Sequence, residues 1–373
     1  MNPYPAVDPI PLPAPVWLMK LLHVVTLSLH FVAVEMLLGG LLLAILLSLF
    51  RNSPHSLVTA RALARRLTVV MTYVINLAVP PLLFAQVLYG RALYTSSVLI
   101  GIYWIVIIPT LMLVYWLLYK FSARLDAGKS AWWAGLIAWL LAGGVARMLS
   151  TNMTLMLRPD AWRGMYSASA MGAYLPTGDP TLEPRWLMML AGGLLIGGLW
   201  LVYLSARSTF TAEEKKFVAG FGGKVAAGFG LVYLAAGIWA ASVQPAAVKA
   251  GLAGQCVYPA YRFEGLAGYG WIALVVVAVL VGAIAGFGKV AAGWLAWAGV
   301  LAAVLLEIML TVYRDGVRDV TLLSRGYDVW NRVVVTNWGV VGLFLVLFVA
   351  SLGLIGWLVS VVARAQKTME GAA

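Results

Sequence analysis

The chain has 373 residues, of which 62% are hydrophobic and only 11% charged; a water-soluble domain of that size carries about a quarter charged residues, so solubility is excluded. The net charge of +12 does not point to nucleic acid, because Lys and Arg fall mainly in short gaps between apolar runs, where they set topology and meet anionic lipid headgroups. The single cysteine, Cys256, excludes an internal disulfide and the CxxCH attachment of a c-type haem.

Residues 1–15 are proline-rich and carry no Lys or Arg, unlike the charged start of a signal peptide, so the first apolar segment is expected to be retained as a helix. Segments of the roughly 20 residues needed to span a bilayer occur near 17–48, 67–89, 94–119, 131–150, 186–205, 217–242, 268–286, 291–313 and 338–362. The expectation is therefore an all-α integral membrane protein with about nine transmembrane helices and one transmembrane domain over 1–373.

The gaps sort by side. Arg51, Arg61, Arg65, Arg66, Lys120, Arg124, Lys129, Arg207, Lys215, Lys216, Lys289, Arg364 and Lys367 lie in short basic gaps, the kind that face the cytoplasm. The others are longer and mixed with acids. This orientation puts the N-terminus (tail 1–15) outside and the C-terminus in the cytoplasm, with outer loops at 151–185, 243–267 and 314–337. Pro80 and Pro81 must distort the second helix, and a neighbouring helix or a polar side chain, Gln86 or Asn76 being local, must take the freed carbonyls. No internal repeat is evident.

Ionisable residues inside a bilayer are costly and mark function by default. They are His23, His30 and Glu35 in the first segment, Arg147 in the fourth, Lys224 in the sixth and Glu307 in the eighth. His23 and His30 are seven apart, so they share a helix face about 10 Å apart along the axis. Either is chemically able to ligate haem iron, or to be satisfied by helix–helix hydrogen bonds, or to touch a quinone. His55, the third histidine, falls in a cytoplasmic gap, so no intrachain bis-histidine haem forms. Glu307 is expected to sit in an ion pair with Arg314 or Arg147. Glu35 is expected either to carry protons or to pack against a hydrogen-bond partner. Loop 151–185 holds Asn152, Met153, Met156, Arg158, Trp162 and Arg163, a mixture suited to a quinone headgroup or to a helix lying flat on lipid.

Five stretches together resemble subunit I of the cytochrome bd quinol oxidases. They are LLHVVTLSLHFVAVEMLLGGLLLAILL, FAQVLYG closing the second helix, STNMTLMLRP closing the fourth, SVQPAAVKAGLAG after the sixth and VYRDGVRDV before the ninth. The resemblance covers nearly the whole chain and implies a bd-like helical bundle in a bacterial cytoplasmic membrane. It places the family's high-spin haem histidine on His30. The departures are equally specific. The family's two helix-three acids fall on Gly101 and Pro109, its low-spin haem histidine on Met188 or Met189, and its helix-eight carboxylate near Thr311, one turn past Glu307.

The resemblance thus implies a quinone-interacting membrane subunit of a respiratory complex. It would exchange electrons between the quinone pool and an outer-side cytochrome or iron–sulfur partner, within a lipid bilayer and without nucleic acid. The expected quinone site gathers His23, Arg158, Gln244, Lys249 and Glu307; haem contacts, if a haem b is bound, fall on His30 as iron ligand with His23, Met188 and Glu307 near it. A haem b quinol oxidase with altered ligands and a cofactor-free anchor for a peripheral redox enzyme remain the alternatives.

Overall fold

The computed structural model describes residues 10–50, 53–207, 210–252 and 266–371. Twelve helices account for nearly all of them, and the described residues hold no strand, only an isolated bridge between Leu12 and Val334. Cys256 lies outside the described residues. Eight helices are each long and apolar enough to cross a membrane, so the chain is a multi-pass membrane protein.

In chain order the helices are α1 (Val16–Leu49), α2 (Pro54–Leu99), α3 (Gly101–Ile105), α4 (Ile107–Asp126), α5 (Trp132–Leu155) and α6 (Pro159–Ala168). They continue as α7 (Leu182–Arg207), α8 (Ala212–Ser242), α9 (Ala246–Leu252), α10 (Leu266–Gly288), α11 (Gly293–Ser324) and α12 (Trp338–Gly371). Two differences from the sequence expectation matter. The expected third span, 94–119, is not one helix: α2 runs on to Leu99 and the return is broken at Ile100 and Val106 into α3 and α4. The expected outer loop at 314–337 begins as helix, because α11 continues eleven residues past Tyr313.

The length of α2 explains the first difference. Its 46 residues would reach roughly 69 Å as a straight rod, about twice a hydrocarbon core. The chain instead kinks at Gly90, whose φ of 39° and ψ of −116° suit glycine alone. At the far end of α4, Arg61 of α2 donates to the Leu125 carbonyl and Arg65 pairs with Asp126 at 2.9 Å. The α3–α4 pair therefore carries the chain from one end of the bundle to the other, a ninth traversal that is made in two pieces.

Small residues set how closely the helices pack, as they do where lipid supplies no hydrophobic drive between them. A Cβ added to Gly39 of α1 would overlap the Gly193 carbonyl of α7, and one on Gly197 would meet the Gly39 backbone at 3.0 Å. Gly198 with Gly222 joins α7 to α8, and Gly223 with Gly282 and Gly286 joins α8 to α10. One core fills the space among α1, α2, α4 and α5, and a second fills that among α7, α8, α10 and α11. The α1–α7 crossing welds the two.

Candidate functional site

The histidines of α1 first serve the backbone of α2. His23 Nδ1 donates to the Pro81 carbonyl at 3.0 Å, and His30 Nδ1 donates to the Val74 carbonyl at 3.2 Å. Both pairs are seven residues apart on antiparallel helices, so one register satisfies both, near the proline pair where α2 has lost ladder donors. Of the side chains expected there, Asn76 bonds the Thr72 carbonyl instead.

His23 is buried, and its Nε2 accepts from the Arg318 guanidinium at 3.2 Å. Both ring nitrogens are thus engaged. Arg318 belongs to a buried charge cluster that joins α1, α2 and α11. Lys20 Nζ lies 3.0 Å from Asp315, bonds Asp319 as well and donates to the Tyr89 hydroxyl at 2.9 Å. Tyr89 donates to Asp315 at 2.8 Å, Arg318 pairs with Asp315 at 3.1 Å, and Trp330 donates to Asp319 at 2.9 Å. Two cations meet two carboxylates, so the cluster is neutral as a unit, which is the condition under which buried charges are tolerated. Around it, Arg332 donates to the carbonyls of Ile10, Val87 and Leu88, which ties the N-terminal segment, α2 and the segment before α12 at one end of the bundle.

A second buried group lies deeper. Glu35 of α1 and Glu307 of α11 are almost fully buried and within hydrogen-bonding range of each other. The Tyr233 hydroxyl of α8 donates to Glu307 at 3.5 Å. Gly192 of α7 touches this group so closely that a Cβ there would fall 2.5 Å from Glu35 Oε1 and 2.7 Å from the Tyr233 ring. Arg314 lies within electrostatic reach of both carboxyls and sits over the Phe31 ring at 4.6 Å. Of the two partners expected for Glu307, Arg147 is committed elsewhere: it pairs with Glu183 at 2.6 Å.

A cleft of about 460 Å³ opens between α3–α4 and α5. Its walls are Ile107, Leu140, Leu141, Met148 and Leu182, with Tyr103, Thr110, Arg147 and Thr151 as polar points. Leu175 and Pro176 close one side. That wall is held by Arg158, which donates to the Thr177 carbonyl at 3.2 Å, and by the Tyr103 hydroxyl, which donates to the Ala173 carbonyl at 3.0 Å. Ile105, Ile108 and Leu140 are exposed apolar side chains on its flanks, so its mouth is bordered by apolar surface.

The residues expected to form one quinone site have their contacts in different places. His23 meets Arg318, and Glu307 meets Glu35 and Tyr233. Gln244, just past the end of α8, bonds back to the Ala240 carbonyl, and Lys249 is exposed, reaching the Ser242 carbonyl at 3.4 Å. Only Arg158 belongs to the cleft, through its loop. Met188 is packed in the core where Gly237 and Trp271 meet. Sequence reasoning missed Lys20, Tyr89, Asp315, Arg318 and Asp319 as a buried set. The i, i+3 and i, i+4 spacing of Asp315, Arg318 and Asp319 was their one signal, hidden by ending the helix at 313.

Comparison with known proteins returns structure rather than sequence. No family model matches the chain, and no curated protein matches it. The bd oxidase structure from Geobacillus thermodenitrificans superposes with a TM-score of 0.66 over 97% of this chain and 99% of that one, at 13% identity. The chain has a bd-oxidase-like fold. At this identity the likeness extends to architecture alone.

Of the residues expected to contact a haem, His30 alone keeps a ring nitrogen that bonds no described residue. His30 anchors Nδ1 on a backbone carbonyl, as metal-ligating histidines do, and its Nε2 makes no hydrogen bond among the described residues. His23 and Met188 do not fit, the first for want of a free nitrogen and the second because it is buried in packed core. Between α1 and α7 the backbones touch at Gly39 and Gly193, which leaves no layer for a planar macrocycle there.

Proposed function

We propose that the chain is the quinone-interacting membrane subunit of a respiratory electron-transfer complex in a bacterial cytoplasmic membrane. It exchanges electrons between the quinone pool and a cytochrome or iron–sulfur partner on the outer side. The observation that carries this reading is the cleft between α3–α4 and α5. It offers apolar walls for a ring and its tail, a mouth with an apolar border suited to quinone arriving among acyl chains, and the Arg147 guanidinium with the Tyr103 and Thr151 hydroxyls for the quinone oxygens. The bd-like architecture supports the respiratory setting, and the basic ends of α2, α4 and α7 support an N-terminus-outside orientation. His23, Glu307, Gln244 and Lys249 do not line the cleft, so the proposed headgroup contacts move to Arg147, which lines it while pairing with the exposed Glu183, with Arg158 holding the loop wall.

The test is steady-state quinol oxidation by the complex purified from membranes. Loss of a charge-assisted hydrogen bond contributes about 1.5–3 kcal/mol, so Arg147→Leu is expected to raise the quinol KM roughly ten- to hundredfold. Assembly should persist, because the partner Glu183 is exposed and exposed pairs stabilise little. An unchanged KM would remove the cleft from consideration. A second reading rests on His30 Nε2, which bonds no described residue: a haem b held there, on the α1–α2 face, would supply one-electron transfer. A dithionite-reduced minus air-oxidised spectrum of the isolated chain, with a haem b signal lost in His30→Ala, would establish it.

A further inference from the structure

We propose that Glu35 and Glu307 form an acid–carboxylate pair that holds one exchangeable proton at mid-depth in the bundle. The inference is independent of the quinone cleft, because its test reads the chain alone.

Both side chains are almost fully buried, and they come from α1 and α11, which also meet at the Lys20 cluster. Each has one oxygen, Glu35 Oε2 and Glu307 Oε2, that makes no hydrogen bond among the described residues, and the Thr311 hydroxyl one turn beyond Glu307 is equally without a partner among them. Two ionised carboxylates cannot share such a place, since like charges at hydrogen-bonding range in a low dielectric repel strongly. A proton between them turns the repulsion into a hydrogen bond.

Local charge fixes the number at one. The described groups shown against the pair are Gly192 on α7, Tyr233 on α8 and Arg314 on α11, whose guanidinium lies over Phe31 of α1. Among the described residues Arg314 is the one cation in reach, so a single carboxylate balances it and the second carboxyl must be neutral. Two protons would leave the guanidinium uncompensated, and none would leave a net negative charge in the bilayer interior. Tyr233 donates to the pair and thereby extends it toward α8.

The polar groups nearest the pair lie toward one end of the bundle. Toward the ends of α1 and α7 that lie past Gly39 and Gly193, Leu41, Leu195 and Leu199 are buried, and the buried hydroxyls of Ser48 and Ser205 near the helix ends bond their own helix backbone. Toward the other end lie Thr311, Arg314 and then the Lys20–Asp315–Arg318 cluster.

Infrared spectra of the full chain in lipid nanodiscs at neutral pH, in H2O and in D2O, test this. The expected result is a carboxylic-acid carbonyl band worth one acid per chain that moves to lower frequency in D2O and vanishes in E35Q/E307Q. If that variant does not fold, E307Q alone serves: it should lose the band too, because Glu35 then ionises against Arg314. A band that survives in the variant overturns the proposal, and so does the absence of any such band. A carboxylate signal that moves on adding sodium or potassium chloride, with no acid carbonyl, also overturns it and marks the site as one for a metal cation.

Discussion

Lys20 is the side chain on which the end of the bundle turns. It contacts Asp315, Asp319 and Tyr89 at once, and its ammonium also lies 5.0 Å from the Tyr89 ring centroid. Removing one member of a buried ion cluster leaves an uncompensated charge and costs about 3–5 kcal/mol, whereas removing a matched pair is far milder. Lys20→Met is therefore expected to lower the unfolding midpoint in detergent strongly, and Lys20→Met combined with Asp319→Leu to recover much of it. Equal losses in the single and double variants would show that the cluster is not coupled. These residues were hard to read in the sequence for a physical reason. Lys20 and Asp315 look like ordinary interface residues when each is judged by its own neighbours, and only the fold brings them together across 295 positions. His23 and His30 were legible as a pair on one face, and helix–helix bonding was one of the readings their spacing allowed. What spacing could not say is that their partners would be backbone carbonyls.

Helix boundaries follow the hydropathy pattern wherever a span is bounded by charge, as in α1, α5, α7 and α8. They depart from it where backbone geometry overrides it. Gly90 lets α2 turn without ending, and the α3–α4 break divides an apolar run that hydropathy alone reads as continuous. The Gly39–Gly193 contact makes a sharp prediction about the α1–α7 pair. Gly39→Leu inserts a side chain where the Gly193 carbonyl already lies, and backbone on both sides leaves nothing able to yield. The variant should fail to accumulate as a folded species in size-exclusion chromatography, while Gly101→Leu, where nothing lies within 4 Å, should behave as wild type. Helix α12 differs from the others. Its first turns touch the bundle through Val341, Leu345 and Phe348, with Phe344 edge-on to Phe84, while Val349, Leu354, Trp357 and Leu358 are exposed. Ending the chain after Phe348 should leave the melting temperature of the bundle unchanged; a large drop would mean that the exposed part of α12 folds back on it.

Across the described residues, the buried charged side chains are concentrated at one end and at mid-depth, and at the other end the buried polar side chains are the hydroxyls of Ser48, Ser56, Thr59 and Ser205. The Lys20 cluster, the Arg332 clasp and the Arg325–Asp160 pair at 2.7 Å all lie toward the end where α6 and the segment before α12 meet. That clustering also carries a consequence for how the chain is made. Lys20 enters the membrane with the first helix, whereas its carboxylate partners are about 295 residues downstream. At 5–20 residues per second, synthesis leaves roughly 15 to 60 s between the two. During that interval the ammonium must wait where its four-carbon stem can reach the headgroups, a few residues from the start of α1. Only when α11 arrives can it sink into the protein, so the final seating of the first helix is a late event in the life of the nascent chain.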